Sequence, residues 1–103
     1  MQSLLPEPNA TLRIRFLSSD EGGRIAAPKA GVFATVLEVQ KKYFDCRIDL
    51  SAWSVIEPDT TVIAPVQFLH PELALPELTS GTAVSLWEGK IIARGDVVSL
   101  ENR

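Results

Sequence analysis

Apolar and polar residues alternate with a period of two along most of this chain. In Tyr43-Phe44-Asp45-Cys46-Arg47-Ile48-Asp49-Leu50, the residues Phe44, Cys46, Ile48 and Leu50 fall on one side, and Tyr43, Asp45, Arg47 and Asp49 fall on the other. That spacing predicts a strand with one buried face. Leu12, Ile14 and Phe16 alternate in the same way with Thr11, Arg13 and Arg15, which predicts a strand over 10–17. Thr61 to Leu69 is β-branched and apolar, with Val62, Ala64, Val66 and Phe68 as the inward set. Its Pro65 has no N–H to give a neighbour, so an edge or a bulge is expected there.

Val32 to Val39 reads as a further strand, and its weaker polarity fits cover on both faces. Thr82 to Trp87 and Ile91 to Leu100 flank Glu88-Gly89-Lys90, a short glycine-bearing connection of the kind that closes a hairpin. Trp87 falls opposite to Val84 and Leu86, so a partly exposed indole is expected. Gly95 inside the last strand predicts a bulge or a close backbone approach. No long window carries an apolar stripe at helical spacing without a proline or glycine interruption. Six short strands joined by Gly, Pro and Asp turns predict an all-β antiparallel barrel or sandwich, and closure into a barrel removes exposed edges.

The connections divide the chain. Ser18 to Arg24 is a polar turn holding Gly22 and Gly23, followed by a loop to Gly31. Leu69 to Leu78 contains Pro71 and Pro76 and is expected to cross one barrel end, capping it with leucines. A flexible tail over 1–9, one domain over 10–100 and a polar tail over 101–103 complete the expected organisation.

A length of 103 residues with 46% hydrophobic content suits one domain with a real core. The single cysteine, Cys46, excludes an internal disulfide, and the formal charge of −3 argues against a broad electrostatic grip on nucleic acid or on an anionic membrane. The first residues lack a basic region and carry only Leu4-Leu5 before proline, and no apolar run approaches a membrane span. A soluble, cytoplasmic protein is expected.

Candidate chemistry is sparse. Gly89-Lys90 is followed by Ile91, and no glycine stands at phosphate-loop spacing before it, so no nucleotide site is expected. His70 precedes Pro71 at a strand end and reads as a surface loop histidine. Cys46 alternates with Phe44 and Ile48 and reads as a buried, inert thiol. Asp45 and Asp49 read as an exposed, solvated pair. These residues predict no enzyme, no metal and no cofactor. Two binding readings remain. Trp87 and Trp53 can anchor a protein contact. Arg13, Arg15 and Arg94 gather on one face if the first strand pairs with the last, which would suit RNA.

A family resemblance adds to this. Phe16-Leu17-Ser18-Ser19 before Asp20-Glu21-Gly22-Gly23-Arg24, a loop ending at Gly31 before a strand, Glu57-Pro58-Asp59 before a long strand, then Trp87-Glu88-Gly89-Lys90 and Gly95, together resemble the third, C-terminal domain of translation elongation factor Tu over about residues 10–100. The resemblance implies a closed six-stranded Greek-key barrel without catalysis, one that meets tRNA and protein partners. It assigns Arg24, beside Gly22 and Gly23, to a turn that faces tRNA, and Gly95 to a glycine near that contact. Ile25 stands where the family has histidine, and Gly31-Val32-Phe33-Ala34-Thr35-Val36 lacks the family's arginine, proline and glutamine. The expected function is therefore a noncatalytic protein-binding module, with Arg24, Gly22, Gly23, Trp87 and Gly95 as contact residues. The alternative is an RNA-binding module using Arg13, Arg15, Arg24 and Arg94.

Overall fold

The structure, a computed structural model, describes residues 5–21, 31–53 and 56–101. Six strands follow one another: β1 (Ala10–Phe16), β2 (Val32–Val39), β3 (Lys42–Asp49), β4 (Thr61–Phe68), β5 (Ala83–Trp87) and β6 (Ile91–Leu100). They pair antiparallel in the closed order β1-β4-β3-β2-β5-β6, with β6 returning to β1. The strand β1 lies beside β4 while β2, β3 and β4 follow in sequence, which is a Greek-key connection. Every strand has two neighbours, so closure leaves no whole strand at an edge.

Alternation decides what fills the tube. Leu12 and Ile14 of β1, Leu37 of β2, Ile48 of β3, Val62 and Val66 of β4, Leu86 of β5 and Ile92 and Val97 of β6 are all buried and form one core. The inward set Val62, Ala64, Val66 and Phe68 is as expected. Pro65 sits where β4 pairs only with β1, because β3 meets β4 only over Val66 to Phe68. Its missing N–H therefore falls on a locally open side.

Four expectations change. The strand β2 is covered on one face only: Val32 and Ala34 are exposed and Val36 is half-buried, while Thr35, Leu37 and Val39 point inward. Asp49, expected outward, is buried, and its Oδ1 accepts the backbone N–H of Ser51 at 2.9 Å. The reason is the turn that follows, which needs a side-chain acceptor. The crossing segment forms a short helix, α1 (Pro71–Ala74), and a 3-10 turn over Leu75–Glu77. Of its leucines, Leu78 enters the core and Leu75 packs against it, whereas Leu69 and Leu73 are exposed. Residues 5–9, expected in the N-terminal tail, touch the barrel: Leu5 is buried, and Asn9 donates to Val66, accepts from Glu101 and takes the Phe68 N–H on its Oδ1.

Candidate functional site

The aromatic side chains left in water define the site. Trp87 ends β5 and Tyr43 lies near the start of β3, and both point away from the core. Val36 of β2 pairs with Trp87 on one side and with Asp45 of β3 on the other, while Glu38 pairs with Tyr43. Tyr43 thus stands one step diagonally from Trp87, and the rings meet across β2 with centroids 5.2 Å apart and planes tilted by 59°. Trp87 keeps 36% of its surface exposed and Tyr43 keeps 54%.

A concavity of about 580 Å³ opens beside them, lined by Ala34, Val36, Arg47, Gln67, Leu69 and Trp87 among others. Its layout follows from register. One row across the sheet runs Trp87, Val36, Asp45 and then Leu69, whose N–H is held by the Asp45 carbonyl at 3.0 Å. The next runs Ala34, Arg47 and Gln67. Ala34 and Val36 are the small apolar side chains of the lining, and Trp87 and Leu69, at the two ends of the first row, are its rims. Thr35 donates to Glu88 Oε2 at 3.4 Å at one wall. Cys46 lies beneath, and burial, reinforced by the Asp45 charge, pushes its thiol up to about 12. Buried and held protonated, it is a poor nucleophile.

The arginines expected for RNA do gather. Closure of β1 on β6 sets Arg15 directly opposite Arg94 and Arg13 opposite Asp96. Carboxylates come with them. Arg13 Nε lies 3.3 Å from Asp96, and Arg15 lies 3.2 Å from Glu21 and 2.6 Å from Asp59. The hydrogen bond from Arg15 holds the Glu21 carboxyl below its usual range, helped by the Ser18 N–H. Lys42 likewise pairs with Glu77 at 3.0 Å.

The remaining expected residues fare differently. Gly22, Gly23 and Arg24 lie outside the described residues. Gly95 sits in the middle of β6, where a Cβ would collide with the Arg13 carbonyl, so the close approach is real. Bulges fall elsewhere in that strand, at the register shifts beside Leu86 and Thr11. His70 is exposed, with Nδ1 3.7 Å from Glu72. Among the described residues no three His, Cys, Asp or Glu side chains converge as a metal site, and no helix is long and apolar enough to cross a membrane. Tyr43, Arg47 and Gln67 were not singled out as site residues from the sequence; their signal was an outward period-two set that reads as ordinary solvated surface. Neither a family model nor a curated protein matches this chain.

Proposed function

We propose that the chain is a noncatalytic protein-binding module that makes its contact through the outer face of β5, β2, β3 and β4, on a barrel of the elongation factor Tu third-domain kind. The Tyr43–Trp87 pair carries the reading: two large rings stay in water beside the apolar Val36, Ala34 and Leu69 and a ready concavity. Aromatic residues of this sort anchor protein interfaces because they bury much area while losing little side-chain freedom. The closed six-strand order supports the kinship with that domain.

The RNA alternative draws on the gathered Arg13, Arg15 and Arg94, yet Asp96, Glu21 and Asp59 offset that charge within the same face. Affinity capture with the full chain and with Trp87→Asp tests the choice. The proposed module retains a protein that Trp87→Asp loses and that rising salt displaces far less steeply than it would an RNA. Retention indifferent to Trp87→Asp, or an RNA gel shift at low salt that Arg94→Glu abolishes, overturns it.

A further inference from the structure

Two opposite charges on the outer face of β3 stand unmatched. Arg13, Arg15 and Lys42 each hold a carboxylate, whereas Asp45 and Arg47 have no ion-pair partner among the described residues. Lying two apart on β3, they point to the same side, roughly 7 Å apart along the strand. Each has a small apolar neighbour on β2: Val36 opposite Asp45, and Ala34 opposite Arg47.

The pattern is self-complementary. A two-fold axis lying across the strands, level with the Thr35–Cys46 pair between those rows, turns it onto itself. Asp45 then faces Arg47 of the second copy and Val36 faces Ala34 of the second copy, each contact occurring twice. Trp87 and Leu69 both belong to the Asp45 row, so the rims of the two copies fall on opposite sides of the seam and pass beside one another. From this arrangement we infer that the groove face pairs with a second copy of the chain in an isologous dimer. The inference rests on the reading of this face as a contact surface and names its occupant. Exposed ion pairs contribute little each, and the patch is small, so the dimer is weak, with a Kd between about 1 μM and 1 mM.

Sedimentation equilibrium of the full chain from about 10 μM to 1 mM tests it. Wild type should show a concentration-dependent monomer–dimer equilibrium. Asp45→Arg alone, or Arg47→Asp alone, sets like charges face to face and should weaken it at least about tenfold. The double variant Asp45→Arg/Arg47→Asp should recover the dimer, and an equimolar mixture of the two single variants should form a mixed one. Unchanged thermal unfolding of each variant separates lost pairing from lost folding. A wild type that stays monomeric at the top concentration, single reversals that pair like wild type, or a swap that restores nothing each overturn the inference. A monomer that still captures a different protein through Trp87 overturns the dimer and leaves the contact face standing; loss of both removes the face as well.

Discussion

The backbone of Gly95 passes so close to the carbonyl of Arg13 that no side chain fits between β6 and β1. The opposing atoms are backbone held in the barrel ladder, so they cannot swing away as a flexible side chain would. Gly95→Ala is therefore expected to destabilise the fold by roughly 3 kcal/mol, through overpacking of a closed barrel. Urea denaturation measures it. An unchanged midpoint would leave the glycine to be explained by binding alone.

Gln40 and Lys41 form the two-residue turn between Val39 and Lys42 with φ of 51° and 67°. A tight hairpin of this hand asks both residues for positive φ, which asparagine and glycine supply with less strain. Replacing Gln40-Lys41 by Asn-Gly should stabilise the protein by about 1–2 kcal/mol, read from the thermal midpoint.

Ile48 and Asp49 are both buried at the end of β3, for different reasons. Ile48→Asp puts an unpaired charge in the centre of the core and should prevent folding, seen as loss of strand signal in circular dichroism. Asp49→Ala removes the acceptor of the Ser51 N–H and should cost roughly 1–3 kcal/mol in urea denaturation. A neutral Asp49→Ala would return that carboxylate to the solvated role its spacing suggests.

The Arg15 hydrogen bond lowers the Glu21 carboxyl in the folded state, and the group is exposed at the surface. The interaction is therefore present above the ordinary carboxylate range and is lost as pH falls through the lowered folded value. An NMR pH titration should show Glu21 titrating below a free glutamate and returning toward it in Arg15→Gln. No movement in that variant would mean that the Ser18 N–H alone sets the shift.

Much of the barrel was legible because burial on one face writes itself into a period of two. The inward set Val62, Ala64, Val66 and Phe68 and the bounds of β2 follow from residue type alone. Asp49 breaks the alternation because the turn after it, not the strand, decides where its carboxylate goes. The bulges in β6 arise from fitting ten residues against two shorter neighbours, which no single strand reveals. Of the site, Trp87 could be read from its place opposite Val84 and Leu86. Its contact with Tyr43 could not, because it depends on the register of β5 against β2 and of β2 against β3. The same holds for the Arg15 clamp, whose carboxylates come from Glu21 and from the distant Asp59.

Amide NMR spectra of the chain, free and saturated with the protein that it retains or with its own second copy, locate the contact most directly. The perturbed amides are expected to centre on Ala34, Val36, Asp45, Arg47 and Trp87. Perturbations centred instead on Arg13, Arg15 and Arg94, with Trp87 unmoved, would place the contact on the β1–β6 face and rule out the groove.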